Sequence, residues 1–160
     1  KPGIGHDAPR SAVIGWHQDY PYWRCTTPAD LLTARIALDA ETIENGCMRV
    51  LTGSHREEAV LLHKVDLNSG TTLPMSLENL DLSHARDVEL RAGAYSVHDP
   101  FILHGSNPNR SSRRRCGITL KYISTHARID RTFRSPSGFD WDGLRLYLAR
   151  GNPGVNTYAD

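Results

Sequence analysis

The sequence predicts a mainly β fold, a sandwich or barrel of jelly-roll type. Three observations carry that expectation. Short apolar runs recur along the 160 residues. Turn-formers separate them, with 13 Gly and 9 Pro in the chain. Asp142–Arg150 is the best helix candidate, ended by Gly151 and Pro153. A chain of 160 residues fits one domain, 1–160. It can bury roughly 70% of its unfolded surface, so neither a disulfide nor a metal is needed merely to fold.

The elements follow in order. Lys1–Arg10 carries two Pro and two Gly and reads as an irregular lead-in. Ser11–Asp19, with Val13, Ile14 and Trp16, reads as a strand. Leu31–Asp39 satisfies both the strand and the short-helix template, because Leu31, Leu32, Ile36 and Leu38 fit either spacing. Cys47–Leu51 is a short apolar run between Asn45-Gly46 and Gly53, and reads as a strand. Glu57–Ser83 is polar and poorly periodic, broken by Asn68-Ser69-Gly70 and Pro74. It reads as a long excursion, of the kind that is uncommon unless functional or mobile. Val88–Leu90, Tyr95–Asp99 and Arg115–Ser124 are further strands, separated by Gly and Pro turns.

Composition excludes several classes. Hydrophobic residues make up 39% and charged ones 23%, ordinary for a globular chain and wrong for a disordered one. Lys and Arg number 19 against 18 Asp and Glu, and a net +1 speaks against a dedicated nucleic-acid binder. No apolar stretch approaches the ~20 residues of a membrane span, and residues 1–16 lack the plan of a signal peptide. Cys25, Cys47 and Cys116 are odd in number with no Cys-x-x-Cys pair, so they fit neither a disulfide framework nor a zinc knuckle. Thiols idle in a reducing cytoplasm are expected, with no nucleic acid and no membrane as partner. The oligomeric state is not legible.

Three signals carry chemistry. In Trp16-His17-Gln18-Asp19, strand alternation puts His17 and Asp19 on one face and Gln18 on the other, giving two adjacent ligands for a divalent metal. His104 follows the apolar Phe101-Ile102-Leu103. Two His and one Asp form the facial triad of non-haem Fe(II) oxygenases, which leaves three positions open for co-substrate and O2. Arg113-Arg114-Arg115 is the third signal. On a strand Arg113 and Arg115 share a face, and an inward Arg clamps a carboxylate bidentately.

His17-x-Asp19, Glu44-Asn45-Gly46-Cys47-Met48-Arg49-Val50, Gly53-Ser54-His55-Arg56 and His104-Gly105-Ser106-x-Pro108-Asn109-x-Ser111-x-x-x-Arg115 recur in that order. Together, over about 14–123, they closely resemble the phytanoyl-CoA dioxygenase family. The resemblance implies a double-stranded β-helix and an Fe(II)- and 2-oxoglutarate-dependent oxygenase. His17, Asp19 and His104 match the iron ligands. Arg115 matches the residue that binds the distal carboxylate of 2-oxoglutarate, and Ser106 a hydroxyl that assists it. The segments around Asn45-Gly46 and Gly53-Ser54-His55 match a structural signature, with Thr52 standing where relatives often have Pro. The implied reaction converts 2-oxoglutarate and O2 to succinate and CO2 and hydroxylates an unactivated C–H bond of a small-molecule or acyl substrate. Desaturation and epimerisation on the same centre stay open, as does a cupin-like module that binds without turnover. Halogenation is disfavoured, because halogenating relatives leave the carboxylate position to chloride and this chain has Asp19.

Tyr20, Tyr22 and Trp23 are equally placed to wall a pocket or to pack a core. His98 shares the parity of His104, with a structural hydrogen bond as its expected role. His55 is expected to support a turn, and Lys121 lies further along the Arg115 face. Arg110, Arg113 and Arg114 are read as solvated or substrate-facing. His6, His63, His84 and His126 have no partner pattern. A jelly roll needs eight strands, and only 16 residues precede His17. The chain is therefore expected to be a fragment, with strand Ser11–Asp19 left at an open edge and a few peripheral helices retained.

Overall fold

The computed structural model describes residues 1, 13–68, 73–136, 138, 141–156 and 158. Eleven strands are present among them: β1 (Ile14–His17), β2 (Thr26–Thr27), β3 (Leu31–Ala37), β4 (Met48–Leu51), β5 (Lys64–Val65), β6 (Met75–Ser76), β7 (Ala85–Val88), β8 (Tyr95–His98), β9 (His104–Ser106), β10 (Gly117–Ile123) and β11 (Arg128–Ile129). A 3-10 turn at Tyr20–Tyr22 is the single helical element among the described residues. No helix there is long and apolar enough to cross a membrane.

Two antiparallel sheets build the fold. One runs β1-β9-β4-β7 and the other β10-β3-β8; the pairs β11-β2 and β5-β6 are satellites. Their inner faces enclose a pocket of about 860 Å³, lined from the first sheet by His17, Met48, His104 and Ser106 and from the second by Thr33, Arg35, His98 and Lys121.

The three-stranded sheet is inside out. Thr33 of β3 stands opposite His98 of β8 and Lys121 of β10. Their side chains, with Arg35 and Thr119, face the pocket. The alternate positions carry the apolar residues outward: Tyr95 is 68% exposed and Val97 53%, and Leu32, Ile118, Leu120 and Tyr122 are exposed beside them. Period two is obeyed, but the polar set occupies the interior. That inversion marks a site rather than a core. The apolar cluster lies elsewhere, where Cys25, Ile129 and Trp141 pack with Trp23, Phe133, Leu144 and Leu146.

The expected strands are found with shifted ends, and Leu31–Asp39 resolves to strand β3. Ser11 and most of Lys1–Arg10 lie outside the described residues. The expected helix Asp142–Arg150 is not one: a turn at Asp142–Gly143 leads into irregular chain. Leu144 and Leu146 are half-buried and Arg145 between them is exposed. This is the spacing of an extended segment, and Gly143 weakens a helix at its start. The excursion Glu57–Ser83 is tied down at several points. Gln18 accepts from Leu61 N at 2.9 Å and donates to Ala59 O at 2.8 Å. Leu77 N donates to Trp16 O at 2.7 Å.

The Asn45-Gly46 signature braces β9. Buried Asn45 accepts from Thr42 N at 2.7 Å and donates to Ala40 O at 2.8 Å, closing a turn. Gly46 has φ +72°, and a Cβ there would collide with the carbonyl oxygen of Asn107. Ser54 Oγ accepts from Leu103 N at 2.8 Å, directly ahead of His104. Gly46→Ala is expected to cost at least ~1–3 kcal/mol, from the left-handed backbone alone. Chemical denaturation checks this, and a variant as stable as the parent would contradict the close packing.

Candidate active site

His17 ends β1 and His104 opens β9, and the two are opposed in register. Their ring centroids lie 4.2 Å apart. Nδ1 of His17 donates to Gly15 O at 2.8 Å, and Nδ1 of His104 to Ile102 O at 3.0 Å. A carbonyl only accepts, so each ring carries its proton on Nδ1 and turns the lone pair of Nε2 inward. Each Nε2 stands 3.8 Å from Oδ1 of Asp19. Within this trio one donor atom from each residue lies within 4.8 Å of the others.

Asp19 reaches the site by a turn, not by the strand alternation expected from the sequence. Its backbone is helical, φ −72° and ψ −37°, at the start of the 3-10 turn. Gln18 does point away, and donates to Ala59 O and Phe101 O. The other oxygen of Asp19, Oδ2, is committed to the second sheet. It accepts from Thr33 Oγ1 at 2.6 Å, from Lys121 Nζ, and lies 3.3 Å from His98 Nε2.

The donor chemistry fits a divalent first-row metal. Burial lowers the pKa of His17 and drives that of His104 down to about 3, so both imidazoles are neutral ligands at ordinary pH. With neutral rings the His–Asp contacts are not ion pairs; they are adjacent donors facing one point. Burial alone would raise the pKa of Asp19, but the His98 hydrogen bond and the neighbouring Lys121 outweigh it and hold the carboxyl well below the ordinary range. Two imidazoles and one carboxylate on one side of a pocket make the facial pattern that suits non-haem iron.

Arg115 lies at another part of the same pocket, buried, with Ser106 also on the wall. Arg113 and Arg115 do not share a strand face as the sequence suggested, because β10 starts at Gly117 and residues 113–115 are irregular. Each arginine takes a different carboxylate instead. Arg113 faces Glu44 at 3.3 Å, Arg114 faces Asp39 at 2.9 Å, and Arg115 Nη1 donates to Glu41 at 3.0 Å.

Other residues sort themselves by contact. Tyr22 and Trp23 line the pocket, while Tyr20 packs on Phe101 with centroids 4.9 Å apart. His55 O accepts from Glu58 N in a turn. Residues without a sequence signal also enter. His63 Nε2 accepts from Gln18 N at 3.0 Å. Lys1 Nζ donates to Ser106 Oγ at 2.7 Å; burial first, and then Arg115 beside it, lowers its pKa to about 7. Thr33 and Arg35 of β3 also line the pocket, and nothing in the sequence singled them out. Glu41, isolated between Ala40 and Thr42, carried no pattern.

The chain resembles known proteins in sequence and in fold. A family model described as Phytanoyl-CoA dioxygenase (PhyH) matches residues 2–117. The chain is 29% identical over 133 residues to a probable alpha-ketoglutarate-dependent hypophosphite dioxygenase of Stutzerimonas stutzeri, covering 78% of this chain and 44% of that one. The chain thus spans less than half the length of this relative. Among solved structures it is similar to the apo form of ThoJ, a non-heme monooxygenase, with TM-score 0.71 and 26% identity, covering 94% of this chain and 51% of that one. It is also similar to EvdO2 from Micromonospora carbonacea var. aurantiaca complexed with 2-oxoglutarate, with TM-score 0.62 and 27% identity, covering 82% and 53%. The fold is therefore the jelly roll of these oxygenases.

The buried neutral histidines give the metal-free protein a pH signature. Between pH ~6.5 and about 3 the unfolded chain protonates His104 while the folded one does not. Stability is full above that window and falls as pH drops through it. The melting temperature of chelator-treated protein is expected to decline on acidification, with a shallower slope in His104→Asn. An unchanged slope in the variant would contradict the burial of that ring.

Proposed function

Because the chain belongs to the phytanoyl-CoA dioxygenase family, we propose that it is the catalytic core of an Fe(II)- and 2-oxoglutarate-dependent dioxygenase that hydroxylates an unactivated C–H bond of a small-molecule or acyl substrate. The observation that carries this reading is the inward convergence of His17 Nε2, His104 Nε2 and Asp19 Oδ1 on a pocket that also holds a buried Arg115. Those three residues are the ones that hold the metal. Iron, when bound, supplies the redox chemistry that couples O2 and the co-substrate to oxidation of a C–H bond; the protein supplies binding, orientation and a dry surround.

Each residue has a task in this reading. The carbonyls of Gly15 and Ile102 keep the Nε2 lone pairs of His17 and His104 pointing inward. Thr33, His98 and Lys121 hold Oδ2 of Asp19, so that Oδ1 alone faces the metal. Arg115 and Ser106 receive the distal carboxylate of 2-oxoglutarate, in the place where Lys1 Nζ now meets Ser106. Tyr22, Trp23 and Trp141 wall the space left for the prime substrate.

A reducing compartment, the cytoplasm, is part of the proposal. All three cysteines are free, and burial pushes the thiols of Cys25 and Cys47 up to about 11, which leaves them inert. The pairing of Arg113, Arg114 and Arg115 with carboxylates supports the absence of a nucleic-acid partner.

Anaerobic loading with Fe(II) and 2-oxoglutarate, followed by O2 and a panel of candidate substrates, is expected to give substrate-stimulated succinate release. Protein that binds metal and co-substrate but forms no succinate with any substrate would favour a binding module. Arg115→Leu removes a charge-assisted pair worth about 1.5–3 kcal/mol and is expected to weaken 2-oxoglutarate roughly ten- to a hundred-fold. Metal affinity is expected to stay unchanged. An unaltered 2-oxoglutarate titration in that variant would move the assignment to Arg35 or Lys121.

A further inference from the structure

The pocket wall carries two guanidiniums and one carboxylate that form a single connected unit, with Glu41 and Arg115 buried and Arg35 half-buried. Glu41 is 1% exposed. Its Oε1 accepts from Arg35 Nη2 at 2.5 Å and its Oε2 from Arg35 Nε at 3.2 Å. The same Oε2 accepts from Arg115 Nη1 at 3.0 Å. Arg35 and Arg115 both line the pocket, whereas Glu41 lies behind them. The backbone is shaped to admit this unit. Gly117 of β10 leaves the room that Arg35 fills, since a Cβ there would stand 2.8 Å from Arg35 Nη2. Glu41 is fixed by its own backbone, with its N–H donating to Leu90 O at 2.7 Å and its carbonyl accepting from Leu90 N at 3.0 Å.

Two features show what the unit lacks. Two guanidiniums and one carboxylate leave one positive charge in excess on the pocket wall. Arg115 is 7% exposed, yet its Nε has no hydrogen-bond partner among the described residues. A carboxylate that binds a guanidinium side-on uses Nε together with one Nη. Glu41 occupies the Nη1 end of Arg115 and leaves the edge containing Nε for a ligand.

We propose that Glu41 and Arg35 are positioning residues for co-substrate binding: Glu41 holds Arg115 with its Nε edge toward the pocket, and Arg35 keeps Glu41 in place and supplies the second positive arm around the co-substrate's distal carboxylate. This rests on the reading of Arg115 as the arm for that carboxylate. In this arrangement the clamp is a three-residue assembly, and its selectivity is for a dicarboxylate over an α-keto acid with no second carboxylate.

The test is calorimetric titration of the full chain, loaded with Zn(II), using 2-oxoglutarate and, separately, 2-oxobutanoate, which lacks the distal carboxylate. Glu41→Gln and Arg35→Met are compared with the parent after circular dichroism has confirmed their folding. Glu41→Gln is expected to weaken 2-oxoglutarate about ten- to thirty-fold, the scale of one hydrogen bond to a charged group. Arg35→Met is expected to weaken it about three- to ten-fold, the scale of one ordinary hydrogen bond. Neither variant is expected to change 2-oxobutanoate affinity or zinc affinity. Arg35→Met keeps the side-chain bulk and serves alone if Glu41→Gln fails to fold. Equal losses for both ligands, or no loss for either, overturn the positioning role. If the parent itself does not bind 2-oxoglutarate, the proposed function fails and this inference fails with it, which is a different result from a parent that binds and variants that match it.

Discussion

The carboxylate of Asp19 is the contact on which the arrangement turns. It leaves the end of the first sheet and is grasped by the second, through Thr33 of β3, His98 of β8 and Lys121 of β10. A buried carboxylate is costly unless its lone pairs are satisfied. Here three donors fill Oδ2, and Oδ1 is left facing the two Nε2 atoms at 3.8 Å. Division of one side chain between two tasks locks the sheets at a fixed spacing and presents an electron-rich face to a cation. Loss of a donor to Oδ2 would loosen the carboxylate, so the geometry of the proposed metal face depends on residues outside it.

That dependence explains the inverted sheet. A three-stranded sheet normally hides its apolar face, yet β3, β8 and β10 turn threonine, arginine, histidine and lysine inward and leave Tyr95, Val97 and Tyr122 exposed. The inward polar residues are affordable because they are paired: Thr33 and Lys121 with Asp19, Arg35 and Arg115 with Glu41. The pocket is in effect held by two buried acids, Asp19 at the histidine end and Glu41 at the arginine end. Interior hydrogen bonds and ion pairs of this kind fix geometry more than they add stability. The apolar packing is left to the periphery around Trp141 and Ile129.

Much of the fold was legible because short apolar runs mark the strands and Gly and Pro mark the turns, although Leu31–Asp39 fitted a helix as well until its partners in the sheet decided it. The trio His17, Asp19 and His104 was legible as residue types and order, but the reason for its convergence was not. Asp19 is carried by a turn after β1, and the local φ and ψ of that turn leave no mark in His-x-Asp itself. Strands β2 and β11 were missed because two-residue pairings are set by tertiary contact, not by a local pattern. The helix expected at Asp142–Arg150 failed because Leu144 and Leu146 serve the Trp141 cluster from extended chain. Glu41 could not be read at all. A single acid in a polar stretch acquires meaning only when Arg35, six residues earlier, and Arg115, far along the chain, fold onto it.

The most direct measurement of the central claim is the position of a bound metal. Crystals of the protein soaked with Zn(II), examined at the zinc absorption edge, locate the ion by its anomalous scattering. The account requires one peak within about 2.0–2.3 Å of His17 Nε2, His104 Nε2 and Asp19 Oδ1 together. A peak bound elsewhere, or one that leaves Oδ1 of Asp19 still paired with protein and out of reach of the ion, would contradict it.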